Sequence, residues 1–239
     1  MKPMQLAVAA VGAASLIALS APAHATTFAD YSATSSAANV KWKKNSGGLS
    51  GTLSTIPGGS ASVYFSFLTP GLSSAANLPA TFTLSATSSS TAFTDVSGDV
   101  VQPDLSGTFS FVSTGAFTIG SHHYAAGTDL LSGAFSGAEI VGKGSAGTAK
   151  DSVLSGGTIV YSTGVSGLSF GGKEDFSLEL TSVTPLFAKS GKVLKSFTAD
   201  STGSFSGGVP EPATWSMLIF GFGLAGYALR RQRVALNLA

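Results

Sequence analysis

Val63-Tyr64-Phe65-Ser66-Phe67 alternates bulky apolar residues with hydroxyl-bearing ones, and this stretch sets the reading of the middle of the chain. On an extended strand successive side chains point to opposite faces. Val63, Phe65 and Phe67 therefore share one face, and Tyr64 and Ser66 the other. Phe82, Leu84 and Ala86 repeat the pattern against Thr81, Thr83 and Ser85. Phe109 with Phe111, Phe117 with Ile119, and Phe176 with Leu178 and Leu180 continue it, and Val193, Phe197 and Ala199 fit a late strand. Period two with one polar face predicts antiparallel sheets covered on one side. Turn signals at Pro57-Gly58-Gly59, Pro70-Gly71, Ser97-Gly98 and Gly171-Gly172 separate the runs. The expected fold class is all-β: an antiparallel two-sheet sandwich, jelly-roll-like, flanked by an N-terminal signal helix and a C-terminal transmembrane helix. An up-and-down barrel and a β-solenoid are the lesser alternatives.

A short phrase recurs at Leu49-Ser50-Gly51, Leu105-Ser106-Gly107 and Leu131-Ser132-Gly133, with an echo at Leu154-Ser155-Gly156. Repeat solenoids keep a fixed period, and these spacings are unequal. The phrase reads instead as strands entering the core, with glycine where a strand bends or bulges.

Composition agrees with a secreted β-protein. Charged residues make up 10% of the 239-residue chain, and glycine supplies 30 positions. The 16 phenylalanines and 44% hydrophobic content argue for a packed core rather than disorder. All three arginines lie in the last ten residues, while Thr26 to Val209 holds nine lysines against eleven acidic residues. That balance argues against nucleic acid, which needs basic residues to neutralise phosphates. Lys41, Lys43 and Lys44 around Trp42 read as a solvated strand face. With no cysteine, disulfides, thiolate metal sites and a cysteine nucleophile are excluded within the chain.

The two ends read as signals. Lys2, the apolar run Leu6 to Leu19 and the small-x-small triplet Ala23-His24-Ala25 form a secretory signal peptide over 1–25, with the mature chain starting at Thr26. The exported all-β domain is expected over 26–205 and a linker over 206–209. Pro210-Glu211-Pro212 follows, then Trp215, an uncharged run over 215–229 with Gly221, Gly223 and Gly226, and Arg230-Arg231-Gln232-Arg233. The prolines keep their segment extended. Trp215 stands where an interfacial aromatic sits, and Arg230, Arg231 and Arg233 resist translocation and act as stop-transfer residues. The apolar run is a short span. Residues 234–239 form a cytoplasmic tail.

This order of parts resembles the PEP-CTERM sorting signal in its PEP-x-x-W variant. The resemblance covers about the last 30 residues, here 210–233, and says nothing of the domain upstream. Ser216 stands where the variant usually has alanine, and Gln232 interrupts the basic run. The resemblance implies recognition by an exosortase, a membrane Cys-dependent transpeptidase acting at or near Pro210, Glu211 and Pro212. It implies anchoring in the inner membrane of a Gram-negative bacterium before processing, then a place at the cell surface or in an exopolysaccharide matrix such as that of a biofilm.

Catalytic patterns are weak. Gly167-Leu168-Ser169-Phe170-Gly171 matches a nucleophile elbow, but another strand rather than a helix follows. His122 and His123 are adjacent and face opposite sides of a strand, and Gly120-Ser121 beside them signals a loop or hairpin tip. Asp95, Asp99 and Asp104 are candidate calcium ligands without a recognised loop spacing. Glu174, Asp175 and Glu179 carry the residue types of a glycosidase pair without its geometry. Trp42, Tyr31, Tyr64, Tyr124 and Tyr161 are either core residues or a sugar-stacking surface. No cofactor or metal site is expected. The leading expectation is a non-enzymatic surface or matrix protein; the alternatives are a carbohydrate-binding module and a secreted hydrolase.

Overall fold

The structure is a computed structural model that describes residues 26–45, 49–144, 146–151, 157–168, 170 and 174–207. Sixteen strands make it up. β1 (Thr26–Ala33), β2 (Val40–Lys44), β3 (Gly51–Thr55), β4 (Ala61–Phe67) and β5 (Leu78–Ser88) come first. They are followed by β6 (Phe93–Thr94), β7 (Val100–Ser113), β8 (Phe117–Ile119), β9 (His122–Tyr124) and β10 (Asp129–Lys143). The last are β11 (Ala146–Asp151), β12 (Thr158–Ser162), β13 (Asp175–Thr184), β14 (Lys189–Ser190), β15 (Val193–Leu194) and β16 (Phe197–Gly207). The described residues contain no helix. The expected signal helix and transmembrane helix fall on 1–25 and 215–229, outside the described residues.

The all-β, antiparallel expectation holds, and the jelly-roll-like order is corrected. Successive pairings run β1–β4, β4–β5, β5–β7, β7–β10, β10–β11, β11–β13 and β13–β16, and β16 pairs back with β1. Eight strands thus close an antiparallel ring in which neighbours in space are neighbours in sequence. A jelly roll needs long connections that cross its ends; this ring needs none. It is an up-and-down barrel, and two opposed faces still pack across its filled interior as in a sandwich. Hairpin β2–β3, inserted between β1 and β4, spans from β16 to β5 along the far half of the wall. β12 pairs with the first half of β10.

The alternation fills the interior of the ring. The inward positions of β4, β5, β7 and β16 place Phe65, Phe82, Phe109, Phe111 and Phe205 in one buried cluster. Phe109 and Phe111 on β7 lie 5.2 Å and 5.4 Å from Phe205 on the opposite wall, so aromatic rings fill the interior. The outer face carries hydroxyls such as Thr81, Thr83 and Ser85. That is the reverse of a lipid-facing barrel, whose apolar side points outward. Among the described residues the ring closes through the pairing of β1 with β16 and encloses the core cluster.

The recurring glycines do not sit at bulges. Gly51, Gly107 and Gly133 each lie in regular register, and the nearby irregularity in β10 falls between Phe135 and Ala138. A Cβ on Gly133 would stand 2.5 Å from Cζ of Phe109, and one on Gly51 would run into the Trp42 ring. Gly51 and Gly133 leave room for an aromatic ring of the neighbouring strand, and Gly107 for the close approach of β5 at Ser85 and Ala86. Phe109 is itself held by Phe176 and Phe205 and cannot swing away. Gly133→Ala is therefore expected to cost about 1–3 kcal/mol by overpacking, measured by denaturant unfolding; an unchanged midpoint would show that the ring moves freely.

β16 runs through Gly207, with Ser206 paired to Thr27 and Gly207 to Thr26. Ser206 and Gly207, expected in the linker 206–209, are thus wall residues. Hydrogen bonding to two neighbours outweighs the local Ser-Gly-Gly preference for a loop.

Candidate functional site

The ring defines two ends. At the entry end, β1 begins and β16 finishes, beside the loop 68–77, the hairpin β8–β9 and residues 163–168. The opposite end carries the end of β2 and the start of β3, the loop 89–99, Lys143 and Gly144 after β10, and the hairpin β14–β15. Thr26, the expected first mature residue, is exposed at the entry rim and is the ladder partner of Gly207. The expected mature start and the last wall residue thus meet at one point on the barrel. Ala23 and Ala25 of the expected cleavage site lie outside the described residues. So do Pro210, Glu211, Pro212, Trp215, Arg230, Arg231 and Arg233.

Among the described residues, the candidate catalytic side chains are not brought together. His122 and His123 are exposed on β9, and Nδ1 of His123 is 2.8 Å from Oγ1 of Thr118, a hydroxyl rather than a carboxylate. Tyr124 stacks on Phe117 at 4.9 Å and donates its hydroxyl to Ser166 at 3.1 Å. Ser169 lies outside the described residues. Asp95 uses one carboxylate oxygen to accept the amides of Ser97 and Asp99, which closes the β6–β7 turn. Asp104 accepts the hydroxyl of Ser90 at 2.5 Å. Among the described residues no three His, Asp or Glu side chains gather as a metal-binding group.

The carboxylates of the would-be glycosidase pair are also separate in role. Glu174 accepts the amide of Tyr161 at 3.3 Å, and desolvation raises its pKa against that bond. Asp175 accepts the Tyr161 hydroxyl at its backbone carbonyl, 2.5 Å away. Glu179 lies on the outer face of β13. The aromatic set divides likewise: Trp42, Tyr31 and Tyr161 are buried, and Tyr64 is 41% exposed on the outer wall. Trp42 closes the far end of the core and donates its indole N–H to the carbonyl of Leu194 at 3.4 Å.

Two polar features were not legible in the sequence. The first is a buried network. Tyr31 donates to Oγ of Ser201 at 2.9 Å, and Oδ1 of Asn39 accepts both the Ser201 hydroxyl at 2.9 Å and its amide at 2.8 Å. Asn39 Nδ2 completes the set at the Ser201 carbonyl, 3.3 Å away. Burial, the largest cause, pushes the Tyr31 phenol well above its ordinary pKa, so it stays protonated as a donor. The second is an open depression of about 380 Å³ on the outer wall, where Asp30, Ser66, Asn77, Glu179, Thr202 and Ser204 face outward across four strands. Nothing in the local patterns of these residues sets them apart from other strand faces.

Next to the buried network, Asp200 has a buried Oδ1 with no hydrogen-bond partner, and desolvation raises its pKa against a hydrogen bond from the Ser201 backbone. A carboxyl whose folded pKa exceeds its unfolded value binds the proton more tightly when folded. It therefore lowers stability at neutral pH, and the penalty is relieved as pH falls through the folded pKa. Asp200→Asn is expected to raise the melting temperature at pH 7, with the gap closing as the pH approaches 4. A constant gap across a pH series of melts would rule this out.

The barrel and its ends define a class: a closed, hydroxyl-faced β-barrel whose last wall residue is immediately followed by a targeting tail. The family model for the PEP-CTERM protein-sorting motif matches residues 208–233, which begins one residue after the ladder ends. The chain carries this motif, the recognition signal for the membrane protein exosortase, and the motif marks it for export with C-terminal membrane anchoring before processing. Comparison with curated proteins and with solved structures finds no match.

Proposed function

We propose that this is a non-enzymatic cell-surface or extracellular-matrix protein, a barrel delivered outward and then cut from its anchor by an exosortase at Pro210-Glu211-Pro212. The observation that carries the reading is the direct junction of wall and motif: Gly207 is still paired to Thr26, and the matched motif starts at residue 208. At no more than about 3.6 Å per residue, Pro210 lies within roughly 11 Å of the last paired residue. The barrel is thus held close to the membrane until the tail is processed. Mass spectrometry of the mature protein from cells with and without the exosortase tests this. The expected result is a C-terminus near Pro210 only where the enzyme is active, and a start at Thr26 in both. An identical, uncut C-terminus in both strains would reduce the tail to a plain anchor.

A second reading, binding of exopolysaccharide, is favoured by the outer depression. Its hydroxyls and carboxylates offer the donors and acceptors that sugar hydroxyls need, and Tyr64, opposite Ser32 at its margin, offers a ring face. A glycan array probed with residues 26–209 is expected to report a ligand lost on Tyr64→Ala; no binding, with calcium or without it, would remove the reading. The secreted hydrolase has the least support, since the nitrogen of His123 that bonds within the barrel faces a threonine.

A further inference from the structure

The lysines of the barrel are scattered in sequence and gathered in space. Between Thr26 and Gly207 there are nine, and seven of them lie at the end opposite the tail. Lys41, Lys43 and Lys44 are on β2, Lys143 ends β10, and Lys189, Lys192 and Lys195 belong to the hairpin β14–β15 and its exit. All but the half-buried Lys189 are exposed. Hydrogen bonds tie these segments into one rim. The amide of Ala92 reaches the carbonyl of Lys192 at 2.9 Å, the amide of Lys44 reaches Oγ of Ser196 at 2.9 Å, and Phe187 bonds Gly144. Three aspartates share this end, Asp95, Asp99 and Asp104, two of them engaged by the local bonds described above. The other eight acidic residues lie along the wall or toward the entry end.

The same rim exposes large apolar side chains at its tips. Val96 is fully exposed in the β6–β7 turn, Leu186 is 64% exposed, Phe93 47% and Leu49 41%. They come from three separate segments, around 49, 93–96 and 186, each beside the lysines. A hydrophilic polyanion such as a nucleic acid or an acidic polysaccharide would neutralise the lysines and leave these side chains in water. A lipid surface satisfies both, since anionic headgroups attract the ammonium groups while apolar tips enter the acyl boundary.

We infer that the lysine-rich end of the barrel is a docking surface for an anionic lipid membrane. The inference is independent of whether the tail is cut. The tail begins at the opposite rim, so this surface is presented away from the membrane that holds the anchor.

The test uses residues 26–207, which carry the closed ring, with vesicles of phosphatidylcholine alone or mixed with phosphatidylglycerol, read by co-sedimentation. Binding is expected only with phosphatidylglycerol and should weaken as salt rises. Each lysine near such a surface contributes about fivefold, so combined Lys43→Ser, Lys192→Ser and Lys195→Ser should cost roughly a hundredfold in affinity. Lys150→Ser, at a wall position of β11 paired with Glu139, should leave binding unchanged. Phe93→Ser with Val96→Ser should also weaken binding and should flatten what remains at high salt. Equal binding to both vesicle types, or equal loss in the wall control, would overturn the inference. So would tighter binding to a soluble polyuronate or to DNA than to the anionic vesicles, insensitive to the Phe93 and Val96 changes. Melting curves of each variant separate loss of binding from loss of fold.

Discussion

Phe111→Ala is expected to remove about 3–5 kcal/mol of stability, the largest loss from any single truncation in the barrel. Phe111 is fully buried at the centre of the ring. Its ring lies 4.8 Å from Tyr31 and from Phe82, 5.0 Å from Phe65 and 5.4 Å from Phe205. These partners come from four other strands, so the vacated volume has walls on several sides that cannot all move in. Closure makes collapse harder, because each wall strand is hydrogen-bonded to a neighbour on both sides. For a unit of this size each kcal/mol shifts the melting temperature by about 2–4 °C, so a fall of roughly 10 °C is expected. Calorimetry or urea unfolding of residues 26–207 measures it. A loss under about 1 kcal/mol would mean that the interior is loosely packed and that the ring does not close around it.

Asn39→Ala is expected to cost about 2–4 kcal/mol, more than a typical polar substitution. The asparagine lies between β1 and β2 and buries its side chain against Ser201 on β16. Its Oδ1 accepts two hydrogen bonds and its Nδ2 donates a third, all to one residue. Its backbone extends the ladder as well, with its amide on the carbonyl of Ala199 and its carbonyl on the amide of Ile56. Truncation leaves the Ser201 amide without its acceptor in a site closed to water, and that loss exceeds the modest net worth of a hydrogen bond made in the open. Tyr31→Phe gives the comparison. It removes one donor while Ser201 keeps Asn39, and its cost should be nearer 1 kcal/mol. If the two variants melt together, the network does not act as a unit.

Much of the fold was legible because strand alternation is local. Val63-Tyr64-Phe65-Ser66-Phe67 carries its own burial pattern, and all three of its apolar residues are in the core. The same holds for Phe82, Leu84 and Ala86 on β5, and for Phe176, Leu178 and Leu180 on β13. The tail was legible for a similar reason: its proline pair, tryptophan, apolar run and arginines are contiguous, and a contiguous motif needs no partner strand to be read. The glycine phrase marks wall strands as expected, but its glycines are not bends or bulges. Gly133 looks like a bulge from its own strand, and only Phe109 on the neighbour explains why a side chain is excluded. Trp42, flanked by lysines, is fully buried because it takes the inward face of β2 and enters the core, while the lysines face out.

The amino-acid sequence alone determined that the chain is a succession of half-buried antiparallel strands with a sorting tail at its end. The tertiary structure decided that these strands close on themselves, that Thr26 meets Gly207, and that lysines from three distant segments share one rim. The division has one physical cause. A strand's own residues set which of its faces is buried, but its neighbours are chosen by hydrogen bonds and packing between segments far apart in sequence, and no local pattern records that choice.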